Sequence, residues 1–278
     1  MNFLCRTMEA SSIKQKISEY QAIDLPFTTV SALDHFILNC IDHTSLSGTD
    51  NDETIEQLCR QAEDIRARTV DGSTVASVCV YPNFASIARS SLQTADIEIA
   101  SVAGAFPSGQ SPLSIRVAEA RQAVKDGATE IDMVISRGRM LAGDYDFVLQ
   151  EVKEIKKTIG SHRLKVILET GELQDFTLIS KASEIAIQGG ADFIKTSTGK
   201  MKPAATLESF LVMLDVIKTY YHQKGIKVGI KPAGGISDPE LARNYVRVLF
   251  GHLGSQWLTK KLFRIGASSL TSRMLEVL

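Results

Sequence analysis

Two lysines stand where a short apolar strand gives way to a loop of small residues, a position in which lysine can act as a nucleophile. The first is Lys195, in the stretch A-D-F-I-K-T-S-T-G-K (191–200), where Phe193 and Ile194 favour a strand. Burial against apolar neighbours disfavours the ammonium form, and an unprotonated lysine attacks carbonyl carbon. The loop that follows offers hydroxyls and backbone N–H groups to an anion. For Lys195 taken alone, the alternative is a side chain that extends past the strand end to water.

A second lysine in the same kind of position favours the chemical interpretation. Lys231 ends the strand in K-V-G-I-K-P-A-G-G-I (227–236), and Pro232 follows it at once. Gly234 and Gly235 then allow the backbone to approach a ligand closely. Two lysines directed into one site lower the pKa of each other, because their charges repel. The pattern predicts that one becomes a nucleophile while the other stays charged beside it.

Alternating strands and helices must position these lysines. The predicted strands are Asn39–Asp42, Val75–Val80, Ile97–Val102, Glu130–Ile135, Leu164–Leu168, Phe193–Lys195, Val228–Lys231 and Leu262–Ile265. Each is followed by a helical pattern, which implies parallel pairing, and eight such units predict a (β/α)8 TIM barrel. A doubly wound sheet is the alternative. The glycine loops favour the barrel, because they follow its seventh and eighth strands, where barrel phosphate sites usually lie.

The barrel is predicted to span residues 36–278, after an N-terminal helical extension over residues 1–35. The extension contains a helix over Ser11–Gln21, and we expect it to cover the far end of the barrel or to form an oligomer contact. Ser31 and Asp52 are the predicted caps of the next two helices.

Side-chain alternation directs more charge into the barrel. Ile131 and Met133 share one face of their strand, so Asp132 points inward, and the same argument places Lys165 inside. Buried charge is costly without a role. The alternative is a structural ion pair between Asp132 and Lys165, but that pairing leaves Lys195 and Lys231 over. Cys79 also faces inward, where a cysteine is more often core than nucleophile.

Composition excludes several functional classes. The formal charge of −1 over 278 residues gives no reason to expect nucleic acid or an anionic membrane as partner. No apolar run is long enough to span a bilayer, and residues 1–9 do not resemble a secretory signal. The four cysteines and five histidines show no ligand spacing. We therefore expect a reduced, cytoplasmic protein with no metal and no cofactor.

Six motifs together resemble one family. They are C-V-Y-P (79–82), E-I-D-M-V (130–134), L-K-V-I-L-E-T-G-E-L (164–173), the block around Lys195, K-P-A-G-G-I (231–236) and G-A-S-S-L (266–270). Through these motifs the sequence resembles the deoxyribose-phosphate aldolase family over about residues 41–270. The resemblance implies a class I, metal-independent aldolase that splits 2-deoxyribose 5-phosphate into acetaldehyde and glyceraldehyde 3-phosphate.

The resemblance also assigns roles to residues. It implies that Lys195 is the Schiff-base lysine, Lys231 the lysine that lowers its pKa, and Asp132 the proton-relay aspartate with Lys165 beside it. The implied substrate-binding residues are Asp42 and Thr44 near the substrate hydroxyl, Cys79 in the site lining, and the phosphate loops at Thr198, Gly199, Lys200, Gly234, Gly235, Gly266, Ser268 and Ser269.

One departure leaves alternatives open. Bacterial members end in a tyrosine that reaches the site, whereas this sequence has no tyrosine after Tyr245. The resemblance then implies slowed turnover, or water in place of that proton donor. A non-catalytic phosphosugar-binding barrel that serves as a scaffold is one alternative. A phosphate-binding barrel isomerase is another, but it would need a glutamate base. A homodimer is the expected assembly.

Overall fold

The described part of the chain folds around a ring of eight parallel strands. The computed structural model describes residues 8–69 and 72–278. Its strands are β1 (Ile41–Thr44), β2 (Ser77–Val80), β3 (Glu98–Ala103), β4 (Glu130–Val134), β5 (Arg163–Ile167), β6 (Phe193–Lys195), β7 (Gly229–Lys231) and β8 (Ile265–Ala267). Hydrogen-bonded neighbours follow the order β7-β6-β5-β4-β3-β2-β1-β8. The parallel bridges Ile230–Phe263 and Ala233–Gly266 close the ring between β7 and β8. The predicted (β/α)8 barrel is confirmed.

Helices surround the ring and connect its strands. They are α1 (Ala10–Gln21), α2 (Val30–Leu38), α3 (Asp52–Arg68), α4 (Ala85–Ser91), α5 (Leu113–Lys125), α6 (Arg137–Leu141), α7 (Tyr145–Ile159), α8 (Thr170–Leu173), α9 (Phe176–Gln188), α10 (Leu207–Lys224), α11 (Pro239–Leu253) and α12 (Leu270–Val277). The sequence pattern does not predict α6 or α8, because each is only about one turn long and shows no helical period.

The first two barrel-region helices begin earlier than predicted. The predicted caps Ser31 and Asp52 are wrong. The N-cap of α2 is Thr29, whose hydroxyl accepts a hydrogen bond from the Ala32 N–H at 3.0 Å. The N-cap of α3 is Asn51, whose side chain accepts from the Thr54 N–H at 3.0 Å. In each case an earlier side-chain oxygen satisfies a free N–H of the first turn.

The last strand is shorter than predicted and lies later in the chain. The predicted strand Leu262–Ile265 is wrong, because the N–H groups of Leu262 and Phe263 both donate to the Thr259 carbonyl in a turn. Only Ile265 and the two residues after it form β8.

The two faces of the strands differ as alternation predicts. Ile131 and Met133 of β4 belong to the apolar core, together with Val166 of β5. Asp132 and Lys165 are paired in register on the opposite face. The barrel interior is therefore charged, whereas the layer between strands and helices is apolar.

The N-terminal segment packs on the outside of the barrel. Ile13 and Ile17 of α1 are buried, and α1 contacts α10 and α11. The ring of Tyr20 occupies the space beside Gly251, where an added Cβ would lie 2.4 Å from it. The predicted domain boundary at residue 35 falls within α2, and the division into two domains stays a prediction.

Candidate active site

The two candidate lysines lie side by side where neighbouring strands end. Lys195 is the last residue of β6 and Lys231 the last residue of β7, and the two are paired in register. Lys195 is 3% exposed and Lys231 is fully buried. The alternative in which Lys195 extends to water is therefore wrong.

One carboxylate joins the two lysines. Oδ2 of Asp132 lies 2.7 Å from Nζ of Lys195 and 2.7 Å from Nζ of Lys231. Its other oxygen, Oδ1, accepts from Nζ of Lys165 at 2.8 Å. The expected pairing of Asp132 with Lys165 alone is wrong, because it left Lys195 and Lys231 without a partner. All three lysines converge on this aspartate.

The surroundings drive the pKa values of the two lysines apart. Burial lowers the pKa of Lys195, and the charge of Lys231 lowers it further, while Asp132 opposes both. Burial also acts to lower the pKa of Lys231, but Asp132 and Asp42 outweigh it and raise that pKa. Burial acts to raise the pKa of Asp132, but the three lysines hold it well below its usual value. This arrangement favours an uncharged Lys195 next to a charged Lys231 and an ionised Asp132.

More charge lies behind the lysine pair. Oδ2 of Asp42 is 2.5 Å from Nζ of Lys231 and 3.3 Å from Nζ of Lys165. Arg264 donates to Oδ1 of Asp42 at 2.6 Å, and Glu130 lies 2.6 Å from Nζ of Lys165. We call this set the buried charge cluster; its members are Asp42, Glu130, Asp132, Lys165, Lys195, Lys231 and Arg264.

Glu130 and Arg264 were not predicted from the sequence as members of this cluster. The signal for Glu130 was present, because it is two residues before Asp132 and so shares its inward face. Arg264 was harder to identify, because it lies outside the regular strand, between the bridge residue Phe263 and the first residue of β8. The predicted inventory of one carboxylate and three lysines inside the barrel is therefore too small.

A cleft of about 470 Å³ opens over Lys195 at the ends of the strands. It is lined by Thr44, Lys195, Thr198, Gly199, Lys200, Gly234, Gly235, Gly266, Ser268 and Ser269 among the predicted residues, and also by Ser45, Leu46, Ser47, Ala233, Ile236, Ser237 and Ala267. The other predicted residues are fully buried and do not line it: Asp42, Cys79, Asp132, Lys165 and Lys231. Burial raises the pKa of the Cys79 thiol, so this side chain is uncharged.

The far side of the cleft is built from loops that only glycine allows. Gly199 and Gly234 have φ values of 80° and 84°. A Cβ added to Gly234 would lie 2.9 Å from the Cα of Gly199 and 2.7 Å from the Cβ of Ala204. The backbones of the two loops are thus packed together at the cleft, and Ser269, the N-cap residue of α12, also lines it. Glycine loops, the start of a helix and the ammonium of Lys200 together suit an anion such as phosphate.

A buried glutamate positions one of these loops. Glu169 accepts hydrogen bonds from the N–H of Thr198 at 3.2 Å and from the hydroxyl of the same residue. Its own backbone is left-handed, with φ of 57°, and Arg137 lies 3.5 Å from its carboxylate. The sequence alone assigned no role to Glu169. The structure uses it to fix the loop after β6.

The described residues offer no alternative centre for metal chemistry. In residues 8–69 and 72–278, no three histidine, cysteine, aspartate or glutamate side chains form a group that could hold a metal ion. Within the same residues, the helices are too short or too polar to cross a bilayer. Cys40, Cys59 and Cys79 are buried free thiols, and Cys5 lies outside the described residues.

Comparison with known proteins finds similar aldolases. A model of the DeoC/LacD family of aldolases matches residues 36–255. The deoxyribose-phosphate aldolase of Mus musculus is 45% identical over 242 residues, which cover 84% of this chain and 76% of the mouse protein. The solved aldolase QR15 is 31% identical with a TM-score of 0.70, covering 86% of this chain and 96% of that one.

A more distant structure shares the fold. The tetrameric deoxyribose-phosphate aldolase of Aeropyrum pernix is 23% identical with a TM-score of 0.67, over 98% of this chain and all of that chain (100%). With the family model and the mouse relative, the assignment is complete: the chain belongs to the DeoC/LacD family of aldolases.

Proposed function

We propose that this chain is a class I aldolase that cleaves 2-deoxy-D-ribose 5-phosphate reversibly into D-glyceraldehyde 3-phosphate and acetaldehyde, in the breakdown of deoxyribonucleotides. One observation carries the proposal. Lys195 lines the cleft, and its Nζ lies 2.7 Å from a carboxylate that also holds the ammonium of Lys231. A neutral lysine amine beside a fixed charge is the arrangement that Schiff-base formation requires.

The reaction begins at the aldehyde carbon of the open-chain sugar. The amine of Lys195 adds to this carbon, and loss of water gives an iminium ion. Removal of the proton from the substrate 3-hydroxyl then breaks the C2–C3 bond and releases C3–C5 as glyceraldehyde 3-phosphate. The pair of electrons from that bond forms the C1=C2 double bond while the C=N pair moves to the nitrogen, which gives an enamine. Protonation of the enamine at C2 and hydrolysis release acetaldehyde and regenerate Lys195.

Proton transfers accompany each of these steps. Asp132 is held ionised and contacts the amines of both Lys195 and Lys165. We assign it the transfer of protons through a water molecule to and from the reacting atoms. Lys165 and Lys231 stay charged and hold the carboxylate in place.

The phosphate group orients the substrate in the cleft. We place it against Gly199, Gly234, Gly235, Ser268 and Ser269, across the cleft from Lys195. Among the described residues that line the cleft there is no glutamate, so the glutamate base that the isomerase alternative needs is absent from its lining. Nothing in the described residues favours the scaffold alternative. The cytoplasmic location, the homodimer and the effect of the missing tyrosine stay predictions.

Reductive trapping tests the proposal. Borohydride added with 2-deoxyribose 5-phosphate should leave a stable adduct, and peptide mass mapping should place it on Lys195. Lys195→Leu should give no adduct. The matched control is Lys227→Leu, which removes an exposed lysine two residues before β7 and should be trapped like the wild type. Failure to trap the wild type, or an adduct on another lysine, would overturn the mechanism.

A further inference from the structure

The buried charge cluster balances only when one lysine is neutral. Its three carboxylates, from Asp42, Glu130 and Asp132, are each fully buried. Its four basic groups, from Lys165, Lys195, Lys231 and Arg264, are at most 3% exposed. With every basic group charged, one positive charge has no counterpart, and uncompensated charge is strongly disfavoured in a protein interior. Loss of one proton from a lysine makes the cluster neutral.

Arg264 determines how the carboxylates are shared. Its guanidinium contacts Oδ1 of Asp42 at 2.6 Å and Oε1 of Glu130 at 2.9 Å. A further hydrogen bond from Nε to the Lys260 carbonyl, at 2.5 Å, fixes the group from the other side. Because Oδ1 of Asp42 is bound by Arg264, its Oδ2 is directed to Lys231. Arginine does not lose its proton in proteins, so this charge is permanent.

We propose that Arg264 is a positioning residue of the aldolase site: it holds Asp42 and Glu130 and supplies a permanent third positive charge, so that Lys195 is the group left neutral. The inference rests on the proposed function, since it explains why Lys195 rather than its neighbours is the nucleophile. Lys195 has one carboxylate contact, from Asp132, whereas Lys231 has two and Lys165 has three. The lysine with the fewest anionic partners is the one that gives up its proton.

The other charged groups around the barrel interior do not alter this count. Arg163, at the end of the barrel where the strands begin, donates to Oε1 of Glu130, and Glu98 lies 3.9 Å from the same guanidinium. Arg163 and Glu98 are both partly exposed, and together they add one positive and one negative charge, so the excess of one positive charge is unchanged. Glu169, after β5, is paired with Arg137. Cys79 on β2 is an uncharged thiol, because burial raises its pKa.

The test is the pH dependence of kcat/KM for 2-deoxyribose 5-phosphate cleavage, because its acidic limb reports the ionisation of the free enzyme. Arg264→Gln removes a positive charge, so Lys195 should retain its proton to higher pH. We expect the apparent pKa of the acidic limb to rise by about one unit or more. At pH values below that pKa, kcat/KM should be about tenfold lower than in the wild type, and in alkali it should recover. Glu130→Gln removes a negative charge and should move the limb to lower pH.

Two further variants separate charge from structure. The double variant Arg264→Gln with Glu130→Gln restores the balance, and its acidic limb should return toward the wild-type position. Arg264→Lys keeps the charge and should shift the limb less than Arg264→Gln. Circular dichroism and thermal unfolding establish that each variant is folded.

Several results would overturn the role of Arg264. A loss that is equal at every pH would indicate a purely structural residue, and a shift of both single variants in the same direction would exclude charge balance. Should Arg264→Gln not fold, Glu130→Gln still carries the opposite expectation, and an unshifted limb in that variant refutes the proposal. Absence of cleavage by the wild-type chain would refute the proposed function itself, which is a separate outcome.

Discussion

Two buried ion networks in this barrel have similar burial and opposite character. In the first, three lysines share the carboxylate of Asp132 at the base of the cleft. In the second, Arg116 on α5 and Glu151 on α7 form a pair at 2.5 Å, with side chains 1% and 0% exposed. Arg116 also donates to the carbonyls of Gly104 and Val134, and the Ser136 N–H donates to Glu151. We call the second network the Arg116–Glu151 clamp.

The difference lies in stoichiometry and not in burial. The clamp matches one cation to one anion and uses further donors and acceptors to complete both groups, so it has no proton to give up. The buried charge cluster has more basic groups than carboxylates, and one of its lysines faces an open cleft. Buried charge alone is therefore weak evidence for catalysis. An unbalanced cluster next to a cavity is much stronger evidence.

The largest effect on rate should come from Lys195→Leu. Without the amine no Schiff base can form, and no increase in pH restores it. We expect loss of aldol cleavage at every pH, measured by coupled detection of glyceraldehyde 3-phosphate. The variant should still fold, because it removes a buried amine and not an anion on which its neighbours depend. Residual activity that rises with pH would show that another lysine forms the adduct.

Lys231→Leu should be nearly as damaging near neutral pH, for a different reason. Removal of the charge raises the pKa of Lys195, so the nucleophile remains present but protonated. Each unit of that shift corresponds to about a tenfold loss below the pKa. The defect should diminish as the pH rises, since alkali deprotonates Lys195 without help. A defect that stays constant from neutral to alkaline pH would show that Lys231 binds the substrate instead.

A smaller and more selective effect is expected at the phosphate loops. Gly234→Ala places a Cβ against Gly199 and Ala204, and the loops must separate. We expect kcat/KM for 2-deoxyribose 5-phosphate to fall by about tenfold or more, because remote phosphate contacts help to position the reacting carbon. Unphosphorylated deoxyribose, which we expect to be a much poorer substrate of the wild type, should be cleaved as before.

Gly225→Ala is the matched control for the loop variant. Gly225 has φ of 69° at the end of α10, and nothing lies within 4 Å of an added Cβ. It adds the same backbone strain, about 1–2 kcal/mol, without any contact at the cleft. Equal losses for both sugars in Gly234→Ala would remove these loops from the phosphate site.

The clamp should affect stability and leave the chemistry intact. Glu151→Ala leaves the Arg116 guanidinium buried without its carboxylate partner, which should lower the free energy of unfolding by about 3–5 kcal/mol. The activity per folded molecule should not change. Glu154→Ala, on the same helix but partly exposed, is the control and should change stability by less than about 1 kcal/mol. A shifted pH profile in Glu151→Ala would mean that the two networks are coupled.

The barrel and the lysine pair can be predicted from the sequence, because both depend on local sequence patterns. Alternation within a strand is enough to direct Asp132 and Lys165 inward, and strand-end position is enough for Lys195 and Lys231. The sharing of one carboxylate is different, because it depends on the register of strands that are distant in the chain. Arg264 reaches Glu130 only because the ring closes, and no local pattern predicts that contact.

Local backbone conformation also limited the prediction. Glu169 takes a left-handed conformation that is rare for glutamate, and this turns its side chain toward Thr198. The short helix α8 follows directly from it. Neither feature has a signature in composition or in hydrophobic period, so the positioning of the phosphate loop could be found only in the folded structure.

The central claim is that Lys195 is neutral in the free enzyme at physiological pH. The most direct measurement is the initial rate of borohydride trapping of the wild-type chain with acetaldehyde as a function of pH, with the adduct quantified on the Lys195 peptide. The account predicts that this rate reaches its plateau with an apparent pKa well below the ordinary lysine value of about 10.4. A trapping rate that follows the titration of an ordinary lysine would contradict it.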